Sequence, residues 1–504
     1  MPRAQRAAGL AFLLSFIAGS AAFADAPSSD LVKRGEYLAL AGDCLSCHTP
    51  KGSQLPSGGV QVQTPFGSIG APNITPDRET GIGGWSDDDF YRVLHDGIGR
   101  NGSYIYPVMP FDHYTKVTRE DVLAIKAYLF SLPPVHSAAA TNHLSFPYNI
   151  REGLAAWRLV FFKPATFTPD LAQSAEENRG AYLVEGLGHC GACHTPRNLA
   201  MASEQSEALG GGEITGQGWF APNISSDVRE GIGAWRTGDI IDYLKTGVAP
   251  GHAVVAGPMA EVIHDSLRHL TDADLRAIAI SLKAAPALEL YAQQAAASPA
   301  GGNAYLTNCA FCHQPDGKGI SGAVPPLAGN GVVLAGGPED VIRAIQGGLP
   351  ARGTYAAMPG LVELVPSNRI AEITNYVRSS FGNNAPPTAT TGMVDGLAPT
   401  TLTMWSGTGP CVPLAPPLAS VLGSTGADAL LHQINAGNMV EQIDAILPKL
   451  HAADGTLAQA DTVNGLTAAY CKIVMNDQSQ PQISRLEQLQ RFAMLVYSRL
   501  SAVP

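Results

Sequence analysis

Three stretches of this 504-residue chain place two cysteines three apart with a histidine directly after the second. They are Cys44-Leu-Ser-Cys47-His48, Cys190-Gly-Ala-Cys193-His194 and Cys309-Ala-Phe-Cys312-His313, and they use six of the eight cysteines. On a helix, positions i, i+3 and i+4 share one face. Two thiols so placed can reach the two vinyl groups along one edge of a haem and form thioethers. The adjoining imidazole then falls under the ring, where a nitrogen binds iron. Structural zinc would need four ligands, normally as two pairs, and three separate motifs do not pair that way. A thioredoxin-like dithiol would need alternating strands and helices, and it gives no role to a histidine after every pair.

The far side of each iron needs a second ligand. A methionine thioether is soft and neutral, favours the reduced metal and raises the potential. Met109, Met259 and Met358 follow their histidines by roughly 45 to 65 residues, which suits one small haem-binding unit. Met109 and Met358 each stand beside a proline, in Pro107-Val-Met109 and Ala357-Met358-Pro359. Met259 has His252, His264 and His269 nearby, and each of these is an alternative ligand. Met201 is too close to His194 to reach round the ring. His189, just before Cys190, points off the haem face and is expected at the surface or on the propionate side. Trp85 and Trp235 are candidates to donate indole N–H bonds to propionates, with simple packing as the alternative. Arg197 is a propionate partner or a solvated arginine.

The elements that must position these residues also recur. Arg34-Gly-Glu-Tyr-Leu, Arg179-Gly-Ala-Tyr-Leu and Asn303-Ala-Tyr-Leu precede the three cysteine pairs. Ala71-Pro-Asn-Ile74 returns as Ala221-Pro-Asn-Ile224, and Gly81-Ile-Gly-Gly-Trp85 as Gly231-Ile-Gly-Ala-Trp235. Apolar residues at helical spacing predict a closing helix after each methionine, over 122–132, 275–282 and 370–377. Each unit thus reads as helix, cysteine-pair helix, glycine- and proline-rich loop with a methionine, and closing helix. The expected fold class is mainly α, with long loops and few strands. The divisions are 25–136, a bridging segment 137–170, 171–287, 299–382 and a helical C-terminal extension 393–504. The bridge carries Ile150, Leu154, Trp157 and Phe161 at helical spacing, as a packing helix between domains does. An Ala/Gln/Ser-rich stretch before 299 and the Pro- and Thr-rich 383–392 read as linkers.

At 45% hydrophobic and 15% charged, the chain is globular rather than disordered. Residues 1–24 read as a secretory signal: Arg3 and Arg6, a short apolar core, then Ala22-Phe23-Ala24 as cleavage site, with Asp25 first in the mature chain. An uncleaved membrane anchor is the alternative, but the apolar stretch is short for a span. The expected location is the periplasm. The formal charge of −11 becomes more negative once the two arginines leave. Such a chain suits neither nucleic acid nor anionic headgroups.

From Asp30 to about Gly382 these residues resemble the triheme cytochrome c subunit of membrane-bound dehydrogenases of acetic acid bacteria and relatives. That family serves alcohol, aldehyde, gluconate, sorbitol and fructose dehydrogenases. RGEYL and RGAYL, APNIT, GIGGW, YPVMPF, TREDVLAIKAYL and PPLAGN carry the resemblance. It implies three tandem cytochrome c-like domains and three covalently bound haem c. Cys44, Cys47, His48 and Met109 would hold the first, Cys190, Cys193, His194 and Met259 the second, and Cys309, Cys312, His313 and Met358 the third. It also implies a redox subunit with no substrate-oxidising site of its own, on the periplasmic side of the inner membrane. Electrons would come from a large catalytic subunit of pyrroloquinoline-quinone, flavin or molybdopterin type and pass to ubiquinone. An independent soluble periplasmic carrier is the alternative. A haem peroxidase is a third reading, but it needs an open iron position.

The extension departs from the family. It holds Cys411 and Cys471, which outside the cytoplasm read as a disulfide, with two buried thiols as the alternative. Its last helix lines up Ile483, Leu486, Leu489, Phe492, Val496 and Leu500. That stripe docks a partner, lies on the membrane surface or packs on the extension's own core.

Overall fold

A computed structural model describes residues 28–138, 140–214, 216–290, 299–362, 364–397, 416–435, 437–453, 459–477, 479 and 482–501. The expected signal segment and Cys411 lie outside the described residues. Within them the chain is mainly α, and its strands are short antiparallel pairs: Gln61–Thr64 with Gly67–Gly70, Gly212–Ile214 with Trp219–Ala221, and Val248–Ala249 with Ala253–Val254. His143–Leu144 adds an edge to the first pair.

Each unit is framed by a lead-in helix crossing a closing helix. Ser29–Ala41 crosses Arg119–Ser131, Ala175–Tyr182 crosses Asp272–Ala284, and Pro299–Asn308 crosses Ser367–Ser379. The first two closing helices start at Thr118 and Thr271, whose hydroxyls accept from the amides of Asp121 and Asp274. The crossings are close enough to require glycine. A Cβ on Gly35 would overlap the Ala124 carbonyl, and one on Gly180 the Ala277 carbonyl.

Units one and two share one apolar core. Leu38, Val122, Ile125 and Leu129 of the first belong to the same buried cluster as Leu183, Leu187, Leu275 and Ile278 of the second. Unit three has its own core around Tyr305, Ile342, Ile370 and Ile373. It docks on the small hairpin of unit two: the Phe220 amide donates to Asp340 at 2.9 Å, and the Arg343 guanidinium donates to the Gln217 carbonyl at 3.0 Å.

Two stretches differ from expectation. The bridge forms a helix, Leu154–Phe161, but none of its residues is buried. It ties the units by its polar ends instead: Trp157 donates to the Ala200 carbonyl at 2.8 Å, and Arg158 lies over the rings of Tyr104, Phe111 and Phe162. Of the expected stripe, Leu154 and Trp157 are half-buried while Ile150 and Phe161 are 48% and 42% exposed, so it packs only in part. The stretch 383–392 is not a free linker. Asn383 is buried and donates to the Leu327 and Val377 carbonyls, and Asn375 and Ala389 exchange two hydrogen bonds. Met393, Val394 and Leu397 then join the core of unit three.

The extension is helical, with Pro416–Thr425, Ala427–Leu431, Met439–Ala453, Gln459–Asn476 and Gln482–Ser501. Its core holds Leu431, Ile443, Leu466, Tyr470 and Phe492. Leu489, Phe492 and Val496 of the last helix are buried there and Leu500 packs against it, so this part of the stripe is covered by the extension itself. The side chains of Ile483 and Leu486 lie outside the described residues. Cys471 is fully buried and disulfide-bonded. Among the described residues no helix is long and apolar enough to cross a membrane.

Candidate haem-attachment sites

Each Cys-x-x-Cys-His stretch ends in one short helix: Cys44–His48, Gly191–His194 and Ala310–His313. The six cysteines of the three stretches are free thiols. Burial pushes Cys44, Cys190, Cys309 and Cys312 up to about 12 and Cys47 to about 11. These are protonated thiols, the opposite of the low-pKa thiolate of a dithiol exchange site. Among the described residues no three His, Cys, Asp or Glu side chains converge as a metal ion's ligand set.

The imidazoles are fixed by backbone. His48 Nδ1 meets the Pro72 carbonyl at 2.7 Å, and His194 Nδ1 meets the Pro222 carbonyl at 2.7 Å. His313 Nδ1 faces the Pro325 carbonyl but falls short of hydrogen-bond geometry. A proton held on Nδ1 leaves Nε2 with its lone pair, the form an iron ligand needs. Burial works the same way, lowering His48 and His194 and bringing His313 down to about 4, so all three rings stay neutral. The histidine carbonyls are held too. Gly58, Gly211 and Gly319 donate to them at 2.8, 2.9 and 3.0 Å. All three glycines have positive φ, and a Cβ would strike the proline-bearing segment, for example 2.5 Å from the Asn73 nitrogen at Gly58. Pro72 and Pro222 sit in the repeated Ala-Pro-Asn, so the repeat carried a signal for these carbonyls without saying what they do.

The expected methionines occupy three settings, all half-buried against the cores. Met109 lies in a turn, its amide donating to the Tyr106 carbonyl at 3.1 Å. Met358 exchanges both backbone hydrogen bonds with Leu349 at 2.9 Å. Met259 is in the first turn of a helix, Pro258–Asp265, rather than in a loop. Its three neighbouring histidines are engaged elsewhere. His252 stacks on Trp235 with centroids 4.8 Å apart, His264 Nδ1 meets Asp265 at 2.6 Å, and His269 Nε2 meets the His264 carbonyl at 3.1 Å. Trp85 and Trp235 pack against the shared core. Arg197 holds the Met201 and Ala192 carbonyls at 2.9 and 2.8 Å, which fastens the loop after the second attachment helix. His189 is half-buried between units one and two rather than fully exposed. It packs edge-on to Tyr114 of unit one at 5.5 Å, and burial with the nearby His113 lowers it to about 4.

Units one and two bring their sites together reciprocally. The Pro258–Asp265 helix of unit two packs on the Cys44–His48 helix of unit one. In return, a Cβ on Gly191 of the second attachment helix would sit 2.9 Å from the His113 ring, four residues after Met109. The lead-in motifs make the same exchange. Tyr182 of unit two donates to Asp121 of unit one at 2.6 Å, and Tyr37 of unit one donates to Asp274 of unit two at 2.6 Å. Arg34 and Arg179 pair with the same carboxylates within their own units, at 2.5 and 2.7 Å. Burial alone would raise the Asp274 carboxyl, but hydrogen bonds from Arg179 and Tyr37 hold it below its ordinary value. Among the described residues unit three shows no such exchange. Tyr305 is fully buried and donates to the Gln314 carbonyl of its own unit, and its closing helix begins after Pro366 with no capping side chain. These tyrosines and aspartates were not singled out from the sequence, although Arg-Gly-x-Tyr and Thr-x-x-Asp each occur twice in register.

Comparison with known proteins adds relatives. The family described as cytochrome c matches residues 299–380. The cytochrome c subunit of the quinone alcohol dehydrogenase of Gluconacetobacter polyoxogenes is 37% identical over 414 residues, covering 77% of this chain and 88% of that protein. The gluconate 2-dehydrogenase cytochrome c subunit of Pantoea cypripedii is 36% identical, covering 75% and 92%. The fructose dehydrogenase cytochrome subunit of Gluconobacter japonicus is 38% identical, covering 70% and 79%.

Proposed function

The chain belongs to the family of cytochrome c subunits of dehydrogenases, and from that premise we propose that it is the triheme electron-transfer subunit of a membrane-associated periplasmic dehydrogenase complex. It takes electrons from a large catalytic subunit of pyrroloquinoline-quinone, flavin or molybdopterin type and passes them to ubiquinone or the respiratory chain. The relatives' partners, named for alcohol, gluconate and fructose, favour an alcohol- or sugar-type substrate in that catalytic subunit.

A bound haem c supplies a one-electron carrier held by thioethers and two axial ligands. Cys44 and Cys47, Cys190 and Cys193, and Cys309 and Cys312 are the attachment points. His48, His194 and His313 are the nearer axial ligands, and Met109, Met259 and Met358 the farther ones. The observation that carries this reading is the imidazole arrangement: a neutral ring beside each free thiol pair, with Nδ1 turned to a proline carbonyl. Two axial side chains at each site leave no position for substrate, which favours electron transfer over peroxidase chemistry.

The test is purification of the native protein from detergent-solubilised membranes, with haem counted against protein mass. The expected result is three haems per chain, six-coordinate spectra and a co-purifying larger dehydrogenase subunit. A native protein recovered as a soluble monomer would refute the complex, and fewer than three haems would refute the ligand assignments.

A further inference from the structure

The extension does not stand apart from the haem-binding units. Its last helix, Gln482–Ser501, packs against the Ala310–His313 attachment helix. The apolar core of the extension takes in Ala323 and Val324 of unit three, which are 0% and 7% exposed, together with Cys312, Ile320 and Ala356. These five residues come from both sides of the expected third haem. Cys312 adjoins His313, Val324 precedes the Pro325 that His313 faces, and Ala356 stands two residues before Met358. The Ala356 amide donates to the Ala323 carbonyl at 3.1 Å, so the two sides are laced together there. A surface that touches the attachment helix and the methionine segment at once crosses the rim between them.

We infer that the C-terminal extension is a built-in cover over the rim of the third haem, closing it to water and to soluble redox partners. This rests on the triheme reading above. Ferric haem carries one more positive charge than ferrous haem. Excluding water from the rim disfavours the ferric form, so the cover holds the third potential up. A soluble partner approaching that rim meets the extension, which occupies the place an external docking surface would take.

Two substitutions loosen the cover from opposite sides. Ala323→Arg places a guanidinium in a fully buried contact on unit three, and Phe492→Asp charges the core of the extension while leaving the haem-binding units untouched. Limited proteolysis reports release by new cuts within 416–501. Potentiometric titration of the full-length holoprotein then resolves three one-electron components. Release is expected to lower one of them so that, at fixed ambient potential, its reduced-to-oxidised ratio falls about tenfold, or 59 mV, with the other two unmoved. Amide exchange over 312–324 should rise in the same variants. Three unchanged potentials in a released variant overturn the proposal, as does failure of both variants to open the extension to protease. A parent protein with fewer than three haems sinks the triheme reading instead, and haem count separates that outcome.

Discussion

Tyr182→Phe tests the coupling of units one and two. The Tyr182 hydroxyl is buried and donates to the Asp121 carboxylate at 2.6 Å, which otherwise keeps Arg34, whose side chain is 55% exposed. Removing a donor from a buried charged acceptor costs about 1.5–3 kcal/mol. Because the two units share a core, the loss falls on a cooperative body of some 250 residues, where each 1 kcal/mol moves the midpoint by about 2–4 °C. The expected shift is therefore on the order of 3–12 °C. Tyr37→Phe should cost less, about 1 kcal/mol, since Asp274 keeps both hydrogen bonds from Arg179. Tyr305→Phe is the control. Its hydroxyl serves a carbonyl of its own unit, so it should lower only the unfolding of unit three. Calorimetry of the holoprotein reads all three variants. An unmoved main transition in Tyr182→Phe, or the same transition lowered by Tyr305→Phe, would show that the crossed hydrogen bonds do not join the units.

Gly58→Ala forces a side chain into φ 77° and against the Asn73 amide. It should cost at least about 1–2 kcal/mol and disturb the first haem's axial spectrum through the Pro72 carbonyl. Arg378 is fully buried, its guanidinium donating to the carbonyls of Val333, Ala335, Gly337 and Pro386. Arg378→Met should destabilise unit three by several kcal/mol, at about 1–3 for each stranded acceptor, read as an earlier denaturant midpoint. Asp340 at the contact of units two and three is raised from 3.8 to about 7 by burial, with Glu339 adding to the rise and Arg343 and Arg378 opposing it. An acid raised on folding contributes stability below its unfolded pKa and loses it as pH rises through the folded one, so this contact should weaken between pH 3.8 and about 7. Asp340→Asn should remove that slope in pH-dependent unfolding.

The attachment helices, closing helices and scarcity of strands were legible because they depend on spacing within one short stretch. The closing helix expected at 122–132 runs Arg119–Ser131, its start set by the Thr118 cap. Legibility ended where partners are distant or carry no side-chain identity. A carbonyl such as that of Pro72 looks the same whatever the residue, so nothing at His48 announces it. Arg-Gly-x-Tyr occurs in units one and two and Asn-Ala-Tyr in unit three, and neither stretch says whether its tyrosine bonds within its unit or across. Only the fold shows that Tyr37 and Tyr182 reach across while Tyr305 turns inward. Composition misled at 383–392, where prolines and threonines suggested a tether. Asn383 there instead donates to the Leu327 and Val377 carbonyls of unit three, and Asn384 to Glu230 of unit two. The helical spacing of the bridge predicted a packed stripe, and only Leu154 and Trp157 of it are half-buried while Ile150 and Phe161 are exposed.

The crossed tyrosines bear on how this chain can be divided. Cutting between 134 and 171 would leave Asp121 and Asp274 each without its hydroxyl and open a shared apolar face to water. Neither half is a sound fragment to express or to graft. The smallest separable piece of the N-terminal region is the pair, with both attachment helices inside it. An ancestral copying of one unit into two would thus have become irreversible once each copy began to complete the other.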